Sequence, residues 1–464
     1  MHQQKVCIQG LGFVGSAMAT AVALAKDQNN ASFFQVVGVD LPSAEGQKRI
    51  KALNQGVFPF ETLDEGLKRA VQECHQAGNL SATSDESAYE DADIVVIDVP
   101  LDFDRSNQNL KFSFLPFEDA LKSVADRIKP ECLVIIETTV PPGTCEKIVF
   151  PIFTKSFLAR GLNPNDLLLA HSYERVMPGK DYLDSIINYY RCFSGYNEHS
   201  SNACRAFLEK IINTQDWPLT ELSNITSSEI AKVLENSYRA VNIAFMEEWA
   251  AFAESMDIDL YSIIKSIRMR PTHSNIRQPG FGVGGYCLTK DPLFASIAAK
   301  ELFGLNEFHF PFCELAIKQN QRMPLRCLDH LTRLLGDLKD HKILLLGVSY
   351  RQDVADTRFS PSEIFCKEVL KQSGKVICHD PLVSFWPELG ITIESDLNKI
   401  DLHDISAVVF ALPHQIYANF DFREWLKNHR PLIFDANNVL SSEMMRKLKQ
   451  DNHKIFAIGK GSLN

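Results

Sequence analysis

The sequence predicts an α/β protein in which a doubly wound sheet at the N-terminal end and a second α/β domain at the C-terminal end flank a long central helix. Short β-branched apolar segments alternate with amphipathic segments in the first third of the chain and again after about residue 330. Between these regions, residues 226–256 carry apolar side chains at the three- and four-residue spacing of one helix. A chain of 464 residues exceeds the size of a single core, and we expect domains at 1–215, 216–328 and 329–464.

The predicted strands are short, apolar and bounded by polar turns, as buried parallel strands are. In the first domain we place strands at 5–9, 33–40, 94–99 and 132–137 and helices at 13–25, 61–77, 115–128 and 143–159. The long helix has Thr226 or Ser227 as N-cap candidates, and it either bridges domains, packs against a partner copy or is a plain core helix. The strands of the last domain are predicted at 341–347, 375–379, 407–411, 431–435 and 452–458.

The charge balance limits the partners that this chain can bind. It carries 48 basic and 58 acidic residues, a net charge of −10, which argues against a broad basic face for nucleic acid. A small basic pocket for an anionic small molecule remains possible. Eleven scattered cysteines, without a CxxC pair or zinc-type spacing, indicate reduced thiols in a cytoplasmic enzyme with no metal site. The apolar run 6–25 contains three glycines, which favours a nucleotide-binding pattern over a signal peptide, and we expect no membrane segment.

The first ligand motif is the glycine pattern at Gly10, Gly12 and Gly15, which follows the first strand and opens the first helix. The first glycine allows the tight turn, the second lets the backbone approach a pyrophosphate, and the third lets helix and strand pack closely. Asp40 ends the second strand, where its carboxylate can accept both ribose hydroxyls and would repel a 2′-phosphate. The motif therefore predicts an NAD site rather than an NADP site. The alternative is a glycine turn without a ligand.

A second glycine-rich loop carries the candidate nucleophile Cys287. Four glycines between positions 280 and 285 precede it, a density that the close approach of another backbone would explain. Lys290 and Asp291 follow, and a lysine three residues from a thiol favours the thiolate. The loop also offers backbone N–H groups to an oxyanion. Beside an NAD motif, a nucleophilic cysteine indicates oxidation of an aldehyde through a thioester. The alternative is a surface loop with an incidental cysteine.

Three further segments contain candidate site residues. Lys232 and Asn236 lie four residues apart on one face of the long helix, where the lysine is either solvated or steadies an anionic intermediate. Glu174 is followed by an arginine and a Pro-Gly turn, and the Glu-Arg pair could equally be a surface salt bridge. Thr139 follows a predicted strand and could approach a nicotinamide, whereas Thr144 is a natural N-cap for the next helix.

Taken in order, these motifs resemble one family, the nucleotide-sugar 6-dehydrogenases, which include UDP-glucose and UDP-N-acetylhexosamine dehydrogenases. The resemblance covers nearly the whole chain and implies two Rossmann-like doubly wound domains joined by a long central helix, which forms the core of a homodimer or larger homo-oligomer. The matching segments are GLGFVG at 10–15, IDVPLD at 97–102, ETTVPPGT at 137–144, ERVMPG at 174–179, YRAVNIAF at 238–245, FGVGGYCLTKDP at 281–292, VSYRQDVADTRFSP at 348–361, HDP at 379–381 and LIFDANNVL at 432–440.

The resemblance also implies the reaction: the NAD-dependent two-fold oxidation of the C6 alcohol of a UDP-sugar to the carboxylate, through a thiohemiacetal and a thioester on Cys287. Lys232 and Asn236 would stabilise the oxyanion, Glu174 would assist hydrolysis, and Asp291 would order the water or the lysine. Thr139 would be the sixth catalytic residue, near the nicotinamide. The implied cofactor-binding residues are Gly10, Gly12, Phe13, Val14, Gly15, Asp40, Pro100, Thr139, Lys290 and Arg358. The implied substrate-binding residues are Glu174, Arg175, Lys232, Asn236, Gly284 and Arg351, and no metal is implied.

Departures from the family pattern leave the identity of the sugar open. Tyr173 replaces the usual proline, Arg351 the usual lysine, Glu247 a common asparagine, and residues 436–438 an often-present arginine. The ERVMPG segment favours the N-acetylhexosamine branch, whereas CLTKDP favours the UDP-glucose branch. Three alternatives remain: a GDP-mannose 6-dehydrogenase, a single-step β-hydroxyacid dehydrogenase, and a non-catalytic protein that binds NAD and a nucleotide-sugar.

Overall fold

The computed structural model describes residues 3–104 and 111–462, and this part of the chain divides into two compact units. The first unit contains the residues up to Glu235 together with Phe294–His309, and the second contains the remainder. The residues of the predicted central domain are therefore shared between the two units. The three-domain division of the sequence stays a prediction.

An open sheet forms the centre of the first unit. The strands described in this unit are β1 (Gln4–Gln9), β2 (Phe34–Val39), β3 (Leu80–Thr83), β4 (Ile94–Ile97), β5 (Phe103–Asp104), β6 (Lys111–Phe112), β7 (Leu133–Ile136), β8 (Leu168–His171), β9 (Cys192–Gly195) and β10 (Thr220–Glu221). Eight of them form one sheet in the order β10-β9-β8-β7-β4-β1-β2-β3, parallel except between β8 and β9. The four strands predicted for this region are confirmed as β1, β2, β4 and β7.

Helices cover both faces of this sheet. They are α1 (Phe13–Leu24), α2 (Ala44–Asn54), α3 (Glu65–Ala77), α4 (Leu115–Ala125), α5 (Phe150–Ala159), α6 (Asp184–Ile187) and α7 (Glu198–Ile211). Apolar side chains of α1, α2, α3 and α7 form the core on one face, and those of α4 and α5 form the core on the other. Burial on both faces explains why β4 and β7 are apolar along their whole length. Helix α3 begins later than predicted because the Asp64 side chain caps it.

The long central helix is α8 (Ile225–Glu254), and the boundary between the units falls within it, after Glu235. The predicted N-caps Thr226 and Ser227 are wrong, because the helix begins earlier and the Asn224 side chain accepts a hydrogen bond from the Ser227 N–H at 2.8 Å. Three more helices follow: α9 (Leu260–Arg268) in the second unit, α10 (Phe294–Ile297) in the first, and α11 (Pro311–Leu335) in the second.

The second unit contains another mostly parallel sheet. Its remaining described elements are β11 (Lys342–Leu346), α12 (Pro361–Lys371), β12 (Lys375–His379), β13 (Phe385–Trp386), β14 (Ile391–Thr392), β15 (Ile405–Phe410), α13 (Gln415–Ala418), α14 (Phe422–Leu426), β16 (Leu432–Asp435), α15 (Ser442–Gln450), β17 (Ile455–Ala457) and β18 (Gly461–Ser462). The strand order is β12-β11-β15-β16-β17-β18, with only the last pair antiparallel. The five strands predicted for this region are confirmed as β11, β12, β15, β16 and β17.

Each sheet has a point where the strand order reverses. In the first unit it lies between β1 and β4, and in the second it lies between β11 and β15. Ligands of open parallel sheets bind outside the carboxyl ends of the strands at such points, so the fold offers one expected crevice in each unit. Among the described residues, no helix is long and apolar enough to cross a bilayer.

Candidate active site

The glycine turn after β1 has the geometry of a pyrophosphate site. Gly10 has a φ of +90°, and a Cβ on Gly15 would lie only 1.9 Å from the Gly10 carbonyl oxygen, so the turn and its packing both require glycine. A Cβ on Gly12 would meet no heavy atom of the chain within 4 Å. Helix α1 begins at Phe13 without a side-chain cap or a first-turn acid. The open space and the uncapped N-terminus of α1 fit a bound pyrophosphate.

Two aromatic residues, Phe60 and Tyr182, contact the first residue of α1 and fix its position. The ring of Phe13 stacks on Phe60 with centroids 4.0 Å apart, and the Phe13 carbonyl oxygen accepts a hydrogen bond from Tyr182 Oη at 2.6 Å. Val14, the next residue, is half-buried like Phe13. These contacts fix the direction in which the N-terminus of α1 points.

Asp40 follows β2, as predicted, but it has a partner that the sequence did not predict. Arg49 of α2 donates from Nε to Asp40 Oδ2 at 2.7 Å and from Nη2 to Oδ1 at 3.2 Å. The Asp40 side chain is 6% exposed, and its Oδ1 also accepts from the Leu41 N–H. The guanidinium fixes the orientation of the carboxylate, as acceptance of two ribose hydroxyls requires.

Pro100 and Thr139 occupy equivalent places after two neighbouring parallel strands. Ile97 at the end of β4 pairs with Ile136 at the end of β7, and each candidate residue follows its strand by three positions. Pro100 is exposed and Thr139 is half-buried. Both therefore lie at the carboxyl edge of the sheet beside the reversal point, where a dinucleotide is expected.

A buried acidic pair, which the sequence did not predict, lies against the glycine turn. The backbone and Cβ of Asp98 are within 3.0–3.3 Å of where Cβ atoms on Gly10 and Gly15 would be. Glu137 Oε1 accepts from Arg191 Nη1 at 2.7 Å, and both side chains of this ion pair are almost fully buried. Burial, followed by the charge of Glu137, raises the pKa of Asp98 well above its usual range. Burial also raises the pKa of Glu137, against the opposing effect of the Arg191 charge.

Lys232 and Glu174, predicted as separate site residues, are in contact in the first unit. Lys232 Nζ donates to the Glu174 carbonyl oxygen at 2.7 Å and lies 3.7 Å from Glu174 Oε1. Arg175 does not pair with Glu174, because its guanidinium binds Glu235 of α8. The alternative prediction of a salt bridge between Glu174 and Arg175 is therefore wrong, and the Glu174 carboxylate faces Lys232 instead.

The predicted capping role of Thr144 is also wrong. Its hydroxyl donates to the Pro141 carbonyl oxygen at 2.6 Å, and the start of the helical segment that leads into α5 is capped by Glu229 of α8 instead. The Glu229 carboxylate accepts from the N–H groups of Gly143 and Cys145, the latter at 2.8 Å. Burial raises the pKa of Glu229 to about 7, although both backbone hydrogen bonds favour the carboxylate.

In the second unit, the glycine loop presents Cys287 on the surface. The thiol-bearing residue is exposed, unlike most cysteines of the chain. A Cβ on Gly284 would lie 2.5 Å from the Phe359 carbonyl oxygen, and Gly285 has a φ of +77° with the Tyr350 ring 2.8 Å from where its Cβ would be. The close approach predicted from the glycines is therefore an approach of the protein's own chain, which fixes the loop that carries the thiol.

Two N–H groups of the glycine loop already have partners. Val283 donates to Asn320 Oδ1 at 2.8 Å, and Gly285 donates to the Arg358 carbonyl oxygen at 3.1 Å. These two donors are therefore not available to an oxyanion, and the wider prediction that loop N–H groups bind one stays a prediction.

Asp291 lies at the centre of a buried polar chain behind the thiol loop. Its N–H donates to the Cys287 carbonyl oxygen at 2.9 Å. Its Oδ2 accepts from Asn236 Nδ2 at 2.7 Å, and its Oδ1 lies 2.8 Å from Lys290 Nζ. Asp291 and Lys290 are 0% and 5% exposed. The Lys290 ammonium, expected to favour a thiolate, is thus paired with Asp291, and Asp291 orients the Asn236 amide.

Arg239 of α8 has two other arginines of the second unit near it, Arg277 and Arg351. Partial desolvation, followed by the charges of Arg277 and Arg351, lowers the pKa of Arg239 on α8, and the same guanidinium interacts electrostatically with Cys287. The Arg277 N–H is held by Asn242 Oδ1 at 3.1 Å, one turn further along α8 than Arg239. Of these cations only Arg351 was predicted. Together they are candidates for the small basic site that the acidic composition left possible.

Arg358 is fixed by two partners of the second unit. Its guanidinium binds both carboxylate oxygens of Asp356, at 2.8 and 2.6 Å, and lies 4.6 Å from the centre of the Tyr286 ring. Tyr286 directly precedes Cys287 in the chain, so Arg358 contacts the same loop that carries the thiol.

Comparisons with known proteins agree with this arrangement. Models of the UDP-glucose/GDP-mannose dehydrogenase family match residues 4–213 (NAD binding domain), 226–322 (central domain) and 344–442 (UDP binding domain). The chain is similar to a UDP-N-acetyl-D-mannosamine dehydrogenase of Methanocaldococcus jannaschii, with 28% identity over 99% of this chain and 97% of that protein. It is also 28% identical to an NDP-N-acetyl-D-galactosaminuronic acid dehydrogenase of Ralstonia nicotianae, over 90% of this chain and 92% of that protein.

A solved structure extends the likeness to three dimensions. The UDP-D-ManNAc dehydrogenase of Pyrococcus horikoshii superposes with a TM-score of 0.83 at 25% identity, over 99% of this chain and 100% of that chain. The three family matches together span most of the sequence, and the glycine turn, Asp40 and the thiol loop lie within them. The chain therefore belongs to the UDP-glucose/GDP-mannose dehydrogenase family and is an NAD-dependent nucleotide-sugar dehydrogenase.

Proposed function

We propose that the protein oxidises the C6 alcohol of a UDP-sugar to the carboxylate in two successive oxidations, with Cys287 as covalent nucleophile. The observation that carries the proposal is the exposed Cys287 on a loop whose glycines are packed rigidly against the chain. When bound, NAD supplies the hydride acceptor for each oxidation. An alcohol-to-acid oxidation must keep its aldehyde between the two hydride transfers, and a covalent bond to sulfur does that.

Three covalent steps convert the aldehyde into the carboxylate. The Cys287 thiolate adds to the aldehyde carbon and gives a thiohemiacetal, whose C6 hydrogen leaves as a hydride and whose oxygen becomes the thioester carbonyl. Water then adds to the thioester, the carbon–sulfur bond breaks, and the thiolate, the sugar carboxylate and two protons are released. Four electrons leave the sugar in all, two with each hydride.

Two groups of residues support the charged states of this pathway. In the first unit, Lys232 holds an ammonium beside Glu174, which fits stabilisation of an oxyanion and assistance to the hydrolytic water. In the second unit, Asp291 orients the Asn236 amide, which supplies a second donor for an oxyanion. Thr139, at the carboxyl edge of β7, is proposed to contact the nicotinamide.

We propose a UDP-N-acetylhexosamine as the substrate, because the named relatives act on N-acetylated sugar nucleotides. Arg239, Arg277 and Arg351 supply the positive charge that a diphosphate needs. A GDP-mannose dehydrogenase is the alternative, and it would differ in the base pocket. A cytoplasmic location is part of the proposal, because the eleven cysteines all occur as thiols, which persist in a reducing compartment.

A homodimer is also part of the proposal. Phe245, Trp249 and Phe252 are spaced along one face of α8, and about half of each side chain is exposed. Ile263 and Ile267 of α9 line the same groove. An exposed apolar groove of this kind is typical of a protein interface, and its position on the long helix supports a second copy of the chain as the occupant.

Product stoichiometry tests the reaction. With NAD and a panel of UDP- and GDP-sugars, the proposal expects two NADH and one acid for each sugar nucleotide consumed. One NADH per sugar would favour the single-step β-hydroxyacid dehydrogenase, and binding without any NADH would favour a non-catalytic protein.

The role of Glu174 has its own test. Glu174→Gln should slow hydrolysis, so a covalent sugar adduct on Cys287 should accumulate and be visible by intact mass. Glu209→Gln, which changes an exposed glutamate on α7, is the matched control and should behave as the unmodified enzyme. A Glu174→Gln variant that forms acid at the normal rate would contradict the role.

A further inference from the structure

Tyr173, which stands where the family usually has proline, packs against the Lys232 ammonium. Lys232 Nζ is 5.4 Å from the centre of the Tyr173 ring. The ring is 1% exposed, so the contact is shielded from water, where the attraction between a cation and an aromatic face is strongest.

Two residues hold the Tyr173 ring in place. Its hydroxyl donates to Glu235 Oε1 at 3.1 Å and accepts from Arg175 Nη2 at 3.0 Å. The Arg175 guanidinium also lies 5.1 Å from the centre of the ring and binds Glu235. The ring is thus tied at its hydroxyl end by a charged pair and cannot rotate away from the lysine.

Lys232 and Glu235 are three residues apart on α8, so this helix supplies both the ammonium and the anchor of the ring. A lysine ammonium has three equivalent donors on a flexible stem and needs several contacts to fix its position. Glu174 supplies a carbonyl oxygen and a carboxylate, and the aromatic face supplies a third contact. A proline at position 173 would offer neither the face nor the hydroxyl.

We propose that Tyr173 is a positioning residue, which holds the Lys232 ammonium beside Glu174 through its aromatic face. The proposal rests on the proposed function, in which Lys232 stabilises the oxyanion. Tyr173 itself contacts neither sugar nor cofactor in this account, and it acts only through the lysine.

A matched pair of substitutions separates the ring from the hydroxyl. Tyr173→Phe keeps the aromatic face, whereas Tyr173→Met keeps most of the volume and removes the face. In single-turnover measurements with enzyme in excess, we expect Tyr173→Met to lower the rate of acid formation about tenfold and Tyr173→Phe to lower it no more than about threefold. The KM for NAD should change less than about twofold in both. A Tyr173→Met variant with the unmodified rate would overturn the proposal.

A double-mutant cycle with Lys232→Met distinguishes positioning from simple packing. If the ring acts through the ammonium, Tyr173→Met should have less than about a twofold effect once Lys232→Met is present. An equal loss in both backgrounds would mean that Tyr173 only supports the fold, and would overturn the positioning role. An unimpaired Lys232→Met single variant would instead overturn the role of Lys232 in the proposed function.

If Tyr173→Met does not fold, phenylalanines with increasing numbers of fluorine atoms can be placed at position 173 and the same rate of acid formation measured. Fluorination weakens the negative face of the ring with little change in its shape. A rate that falls stepwise with each fluorine supports the proposal, and a rate independent of fluorine contradicts it.

Discussion

Replacing Asp40 by serine should change the preferred cofactor from NAD to NADP, because an arginine is hydrogen-bonded to the Asp40 carboxylate. Asp40 Oδ2 lies 2.7 Å from Arg49 Nε, and the pair is mostly buried. Removing the carboxylate takes away the acceptor for the ribose hydroxyls of NAD. It also leaves the Arg49 guanidinium without its partner at the place where a 2′-phosphate would lie.

The magnitudes follow from these contacts. Hydrogen bonds to a charged acceptor contribute about 1.5–3 kcal/mol, so NAD binding should weaken roughly tenfold to 150-fold. In the unmodified protein, a 2′-phosphate about 5 Å from Asp40 would be repelled by about 3 kcal/mol per charge at an effective dielectric constant of about 20. In Asp40→Ser that repulsion is replaced by attraction to Arg49. The ratio of NADP to NAD efficiency should therefore rise by about a thousandfold or more.

Steady-state kinetics with each cofactor at a fixed, saturating sugar nucleotide measure this ratio as kcat/KM. Asp40→Ser combined with Arg49→Leu is the control, because it lacks the guanidinium and should lose NAD efficiency without gaining NADP efficiency. An Asp40→Ser variant whose NAD efficiency stays within threefold of the unmodified enzyme would refute the assignment of Asp40 to the ribose.

Three other outcomes are expected. Arg191→Met removes the cation that pairs with buried Glu137 and should lower the free energy of unfolding in guanidinium by about 3–5 kcal/mol, whereas Arg423→Met, at a surface ion pair, should have little effect; equal effects would contradict the stabilising role of the buried pair. Burial lowers the pKa of His171 from 6.5 to about 3. As the pH falls, this histidine is therefore protonated in the unfolded chain before it is protonated in the folded one, and the free energy of unfolding decreases between about pH 6.5 and 3 by about 1.4 kcal/mol per pH unit. The free energy of unfolding of His171→Gln should lack this decrease at acidic pH. If it falls with pH in parallel with that of the unmodified protein, His171 is not the source of the acid sensitivity. Phe252→Glu places a charge in the apolar groove and should shift the proposed dimer to monomer in sedimentation velocity; a variant as dimeric as the unmodified protein would exclude this face as the interface.

The sequence predicted the fold well because its strands are buried on both faces. Segments such as 94–97 and 133–136 are apolar at every position, and their short length between polar turns distinguishes them from helices. Strand β10 was not predicted, since its two residues, Thr220 and Glu221, are exposed and carry no apolar signal. Helix α2 was also missed, because only three of its residues are buried and the rest are polar.

The site was predicted where function depends on a local pattern and missed where it depends on distant pairs. The glycine turn and the thiol loop each lie within a few residues of sequence. Arg49 was missed because helix α2, which carries it, was not predicted. Glu229, in contrast, caps a segment that lies more than eighty positions earlier in the chain. No local signal marks such a pair.

The buried pair of Asp98 and Glu137 shows why polar groups beneath a site are difficult to predict. Each carboxyl group follows an apolar strand, where a site residue exposed to ligand is the usual expectation. Only the packing of β4 beside β7 reveals that the two acids are neighbours, that Arg191 pairs with Glu137, and that the pKa of Asp98 is raised by burial and by the charge of Glu137. The sequence shows two acids but not their common environment.

The most direct test of the covalent pathway is to measure NADH and sugar carboxylate together in reactions of the Cys287→Ala variant. The unmodified enzyme should give two NADH and one carboxylate per sugar nucleotide. Cys287→Ala should bind NAD nearly as tightly but release no carboxylate above background, because nothing retains the aldehyde for the second oxidation. A Cys287→Ala enzyme that produces the acid at the unmodified rate would contradict the thioester pathway.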